Sequence, residues 1–240
     1  MQRSFSIVRN NESKESTMQF DTPAPVTAVL DIPAGRIQFI AADRADTAVE
    51  VRPANASKSR DVKAAEQTEV AYGDGVLRIK APEAKNQILG PSGSIEVTVQ
   101  LPAGSHIEAK AALAEFRGVG RFGDVSFEGA QGAVKLDEAE SARLALQSGD
   151  VSVGRLSGGP AQISTQKGDL RITEAVCGTV TLRTESGDIS VGAARGASAA
   201  LDADTTYGRI HNALKNTDGA DAGLTIHATT AHGDITARSL

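Results

Sequence analysis

Beyond residue 100 the chain repeats a five-residue figure of glycine, polar, apolar, polar, apolar. It reads GDVSF from Gly123, GDVSV from Gly149, GDLRI from Gly168, GDISV from Gly187, GRIHN from Gly208 and GDITA from Gly233. Between those sites come GAVKL from Gly132, GPAQI from Gly159 and GTVTL from Gly178, with versions lacking the glycine at 140 and 197. The starts at 123, 132, 140, 149, 159, 168, 178, 187 and 197 lie eight to ten residues apart. Such spacing leaves about five residues for a strand and about four for a turn. Two strands then make one rung of about nineteen residues.

Alternation along each strand points Val151 and Val153, Ala161 and Ile163, Leu170 and Ile172, Val180 and Leu182, and Ile189 and Val191 inward. One rung alone would leave that face wet, so rungs must stack. The pattern predicts an all-β, β-helix-like solenoid. From Ala197 the starts spread to 208, 222 and 233, and the inward set weakens to Asn212 and Ala237, as expected of an atypical terminal rung.

Period-2 alternation also predicts strands at 26–31, 36–40, 48–52, 69–72, 76–80 and 94–101. Gly73-Asp74-Gly75 marks a hairpin, since these residues tolerate positive φ. DIPAGRIQF and QLPAGSHIE read as one Pro-x-Gly turn used twice. A short helix is expected in 57–67. The helix-tolerant stretch 137–147 is read as strand, because Ala142, Leu144 and Leu146 hold the repeat register. Of the eight prolines only Pro160 follows residue 103. The expected organisation is a flexible tail at 1–17, an irregular β region at 18–105 and a continuous repetitive solenoid at 106–240.

With no Trp, two Tyr and six Phe in 240 residues, the core is expected to consist of small aliphatics. A net charge of −5 with interspersed signs gives no footprint for nucleic acid or for an anionic membrane. No apolar run suits a signal peptide or a membrane span, so a cytoplasmic protein without membrane insertion is expected, peripheral association with the envelope remaining open. Asn55 would be a glycosylation sequon only in a eukaryotic secretory setting, which nothing here supports. Cys177, the single cysteine, excludes an intrachain disulfide and reads as a small buried strand residue.

The stretch IEVTVQLPAGSHIEAK, followed by serial SGDVSV and SGDIS units, resembles the bacterial β-strand-repeat proteins catalogued as putative adhesins, also called toastrack domains. The resemblance covers about 18–240. It implies a β-solenoid-like domain acting through interactions, in some cases with envelope-stress systems, and brings no catalytic residues with it.

Five glycine–aspartate pairs stand out: Gly123 and Asp124, Gly149 and Asp150, Gly168 and Asp169, Gly187 and Asp188, Gly233 and Asp234. Strands stack at about 4.8 Å. Unit charges at that separation repel by about 1 kcal/mol in bulk water, which exposed turns tolerate. The pairs are read as a structural turn series, with Asp bonding its own backbone and Gly taking positive φ. A calcium ladder would need six to eight oxygens per ion, and the nonapeptide pattern of calcium β-rolls is absent.

His211, His227 and His232 read as solvated, the last two on opposite faces with a turn between them. Asp137, Glu138 and Glu140 read as a solvated acidic corner. No nucleophile elbow, P-loop or dinucleotide fingerprint occurs. No catalytic residue, cofactor or metal is assigned. The expected function is a non-enzymatic interaction or scaffold module that binds a protein partner through strand faces or a sheet end, with self-association through sheet edges as a further route. The alternatives are a carbohydrate-active β-helix enzyme using surface carboxylates, which the scarcity of aromatics opposes, and a ligand-sensing domain, which requires a preformed pocket.

Overall fold

A computed structural model describes residues 16–82 and 93–240. The repetitive half is a stack of parallel coils, each placing one strand in a front wall and one in a back wall. In front, β8 (Val134–Ser148) is followed by β10 (Ala161–Ser164) and β12 (Gly178–Ser186), pairing Ala142 with Ala161 and Ala161 with Val180. Behind, the first part of β8 is followed by β9 (Val151–Leu156), β11 (Leu170–Ala175) and β13 (Ile189–Ala193), pairing Val134 with Val151, Val151 with Leu170 and Leu170 with Ile189. Both walls advance by nineteen residues from β10 to β12 and from β11 to β13, as the repeat requires. All ten inward residues named from the repeat are buried.

The last two coils are stacked out of chain order. β14 (Ala199–Tyr207) and β15 (Ile210–Ala213) form the outermost coil. The later strands β16 (Leu224–His232) and β17 (Ile235–Ser239) slot in beneath it, β16 lying between β12 and β14 and β17 between β13 and β15. The terminal rung in space is therefore 199–213. The C-terminal strand is held on both sides, and the Leu240 amide donates to the Ala193 carbonyl at 3.0 Å.

The first half joins the same stack. β2 (Thr27–Ala42) runs from front wall to back wall between β7 (His106–Gln131) on one side and β5 (Val76–Lys80) with β6 (Ile95–Pro102) on the other. Antiparallel strands close this end. β3 (Asp46–Pro53) pairs with β6, β1 (Ser16–Asp21) with β3, and β4 (Glu69–Gly73) with β5. The Phe20 and Tyr72 rings meet there, 5.5 Å apart. The Arg44 guanidinium grips Asp46 through Nε and Nη2, both at 2.8 Å. Together with Gln19, that contact holds the Asp46 carboxyl below its usual range.

The helix α1 (Ser59–Glu66) and the β4–β5 hairpin form where expected, the hairpin turning through Asp74 at φ 52° and Gly75 at φ 76°. Residues 137–147 are strand within β8. Of the expected tail at 1–17, only 16 and 17 lie within the described residues, and both belong to β1.

Three expectations are corrected. The two Pro-x-Gly segments are different structures. Gly35, at φ 142°, bends β2 without ending it, and its α-carbon lies so close to β6 that an added Cβ would sit 1.7 Å from the Ile95 carbonyl oxygen. Gly104, at φ 80°, closes an open turn. The core also gathers aromatics around β2 and β7, where Phe39, Phe116, Phe122 and Phe127 are fully buried and Phe116 stands 5.0 Å from Phe127. Finally, Cys177 is exposed, because it falls in the corner between β11 and β12 rather than on a strand.

Candidate interaction surfaces

Each coil has two corners, and the Gly-Asp pairs build one of them, where the chain passes from front wall to back wall. Gly132, Gly149, Gly168, Gly187, Gly233 and Gly208 form a column in which adjacent backbones touch. A Cβ on Gly168 would lie 2.2 Å from the Gly149 carbonyl oxygen, and one on Gly187 would lie 2.0 Å from that of Gly168. Beside it runs a column of aspartates that receive backbone donors from the next rung. Asp150 Oδ1 accepts the Asp169 amide at 2.9 Å, Asp169 Oδ1 the Asp188 amide at 2.8 Å, and Asp188 Oδ1 the Asp234 amide at 2.8 Å. The bonds therefore run between rungs and not within each turn, so the stacked carboxylates hold the rungs in register.

Arg209 ends the column. Its amide donates to Asp234 Oδ1 at 2.8 Å and its guanidinium to Oδ2 at 3.1 Å. These contacts depress the Asp234 pKa, the backbone bond contributing most. A third column was not anticipated from the sequence. The hydroxyls of Thr184, Thr230 and Thr205 donate at 3.1 Å to the carbonyls of Gly168, Gly187 and Gly233, and Thr165 reaches Gly149 at 3.4 Å. The corner motif is thus Thr-x-x-Gly-Asp, visible as TQKGD, TESGD and TAHGD.

Gly123 and Asp124 share the pentapeptide but not the place. They lie inside β7 on the opposite corner, where the back wall returns to the front. There the Asp124 amide donates to His106 Nδ1 at 3.0 Å, Ser141 Oγ donates to Asp124 Oδ1 at 2.6 Å, and Asp124 Oδ2 stands 3.3 Å from Nδ1. The acid sits between the hydroxyl and the imidazole, so the serine proton is aimed at the carboxylate and no imidazole is placed to take it.

Other sequence candidates are dispersed. Asp137 pairs with Arg117 at 2.8 Å, Glu138 with Arg155 at 3.8 Å, and Glu140 is exposed. His227 and His232 lie on one strand, β16, with no turn between them. His227 faces Asp202 at 3.3 Å, while His232 stacks on Tyr207 with ring centroids 5.0 Å apart. Among the described residues no group of histidine, cysteine and carboxylates is arranged to hold a metal, and no buried polar side-chain atom lacks a partner.

The outer surface of the front wall carries an open groove of about 930 Å³ across β2, β7, β8 and β10. His106, Asp124 and Ser141 stand at one margin, and the ion pair of Lys110 with Glu128, 3.1 Å long, at the other. Glu108, Arg143 and Gln162 lie between them, and Arg143 is exposed, its guanidinium bonded to no described residue.

Parallel two-strand coils with a glycine corner, closed at one end by antiparallel strands, define a β-solenoid-like domain. Residues 2–238 match the family described as Toastrack DUF4097, and the chain belongs to that family. A putative adhesin from Parabacteroides distasonis has a similar solved structure, at 16% identity with a TM-score of 0.50, covering 95% of this chain and 98% of that one. A putative adhesin from Bacteroides fragilis matches at 14% identity and a TM-score of 0.46, covering 94% and 98%. A putative lipid binding protein from Parabacteroides distasonis matches at 14% and 0.45, covering 95% and 97%. At such identities the likeness is one of fold. No curated protein matches the chain. No described helix is long and apolar enough to cross a membrane.

Proposed function

We propose that the chain is a non-enzymatic interaction module that binds an extended protein segment in the front-wall groove. The observation that carries this reading is Arg143, a cation whose guanidinium pairs with no described residue, in the middle of an open groove that crosses several rungs and holds Glu108 and Gln162 as further polar groups. A free guanidinium offers forked donors to a carboxylate or a backbone carbonyl, and flanking acids suit a ligand bearing both signs. The description of similar folds as putative adhesins supports action by contact. The acidic corner at 137–138 is already neutralised by arginines, and the serine of the Ser141–Asp124–His106 row faces a carboxylate with no imidazole on its hydroxyl, which disfavours hydrolysis.

The test is a photo-crosslinking residue at Ser126, which lies beside Arg143 in the groove and leaves the guanidinium in place, compared in the native host with one at Arg171 on the back wall. The reading requires adducts at 126 that are absent at 171 and that the unlabelled parent, but not Arg143→Glu, competes away. Equal adducts at both positions, or none at 126, would overturn it.

A further inference from the structure

The two ends of the stack are finished differently. Antiparallel β1, β3 and β4 cover one, while at the other β14 pairs only with β16 and β15 only with β17 among the described residues. One rung below, the inward Ile226, Ala228, Ile235 and Ala237 are fully buried. Their counterparts in the outermost coil are not. Leu201 and Ala203 are half-buried, Ile210 is 46% exposed, and Tyr207, at the corner, is 68% exposed. The coil therefore presents two free strand edges and an open apolar strip.

We propose that coil 199–213 docks on the same coil of a second copy about a two-fold axis, with β14 laid antiparallel to β15 of the other chain. Charge selects both the occupant and the arrangement. β14 carries Asp204 and Asp202, the latter also facing His227, whereas the β15 side carries His211 and Lys215, the Arg209 guanidinium being held by Asp234. A coil of two strands reverses direction at each corner. A two-fold axis along the strands therefore brings β14 onto β15 in antiparallel fashion, acids against bases, twice over. The alternative axis, normal to the walls, sets β14 on β14 and opposes aspartates, which is unfavourable.

This end is thus complementary to its own two-fold image, the requirement for an isologous dimer. Antiparallel addition to an outer coil is also the way the opposite end is closed, by β3 on β6. A strand of nine residues at about 3.3 Å each, spanning walls about 10 Å apart plus their side chains, covers roughly 600 Å² per copy. That total of about 1,200 Å² is at the lower limit for a stable interface, so a dimer in the micromolar range is expected.

The test is sedimentation velocity of the full chain from about 1 to about 200 μM. The parent should pass from monomer to dimer, and Ile210→Asp should stay monomeric while its dilute melting temperature moves by no more than about 2 °C. Asp204→Lys should weaken the dimer about tenfold, and adding His211→Glu, at the matching level of β15, should restore it. The charge pair keeps the test decisive should Ile210→Asp fold poorly. A parent that is monomeric throughout, an Ile210→Asp protein that still dimerises, or an Asp204→Lys protein that dimerises more tightly would each overturn the proposal.

Discussion

The two corners of each coil obey different rules. At the glycine corner the rungs of Gly168, Gly187 and Gly233 repeat the same contacts: a glycine backbone against the glycine below, an aspartate bonded to an amide of the neighbouring rung, a threonine hydroxyl on a glycine carbonyl. At the opposite corner the connections run through 157–160, 176–177, 194–198 and 214–223, the last holding a short 3-10 turn at Gly219–Asp221, and no two are alike. A corner whose partners are copies of itself restricts each position to the residue that fits its own neighbour. One whose rung-to-rung bonds join backbone segments of different length and shape can vary.

The largest effect should come from the wall beside the glycine corner. Leu170 is fully buried between Val151 and Ile189, so Leu170→Asp buries an unpaired carboxylate and should cost several kcal/mol, enough to prevent soluble folding. Soluble expression and far-UV circular dichroism check this, and a parent-like melt would mean that the inward register is wrong.

A sharper comparison uses one substitution at both corners. Gly168→Ala sets a Cβ 2.2 Å from the Gly149 carbonyl oxygen at φ 144°, with a rigid backbone as the obstacle, and should cost about 3 kcal/mol. Gly158→Ala meets nothing nearer than the Cys177 sulfur at 3.5 Å and should change stability by less than about 0.5 kcal/mol. Equal urea midpoints would erase the distinction between the corners. Thr184→Val removes the hydroxyl donated to Gly168 and should cost about 1 kcal/mol, whereas Thr179→Val, exposed near the other corner, should leave the midpoint unchanged.

The same difference decides what was legible in the sequence. Gly149, Gly168, Gly187 and Gly233 announced the stack because rung-to-rung contact imposes one residue type at one interval. Gly123-Asp124 imitates them, since a pentapeptide records strand alternation and a bend but not the corner on which the bend lies. His106 and Ser141, which fix Asp124 there, are far from it in sequence. The order of the last coils was hidden for a related reason: Gly208 and Gly233 both head repeat-like strands, and either could follow β13. The one available clue was polar Asn212 where the other coil has Ala237, since the coil with the weaker inward set is the one that can face water. Cys177 was misplaced because irregular corners carry no period. The groove left no signal at all, because its side chains come from strands that alternate like every other.

The smallest effect belongs to the end of the aspartate column. Arg209, through its amide first and its guanidinium second, holds the Asp234 carboxyl below its ordinary value. A depressed folded pKa means that the ionised form is preferred in the native state. This contribution is therefore fully present above the unfolded pKa of about 3.9 and is lost as the pH falls through the lower folded value. Asp234→Asn keeps an oxygen for the Arg209 amide but gives up the charge. The variant should melt slightly below the parent at neutral pH, and the gap should close as the pH falls below about 4. Salt of about 1 M should narrow the gap at neutral pH, because the pair is exposed and its field is screened within about 3 Å. A gap that widens on acidification, or that ignores salt, would show that the last rung is held by the shape of the corner and not by the charge on Asp234.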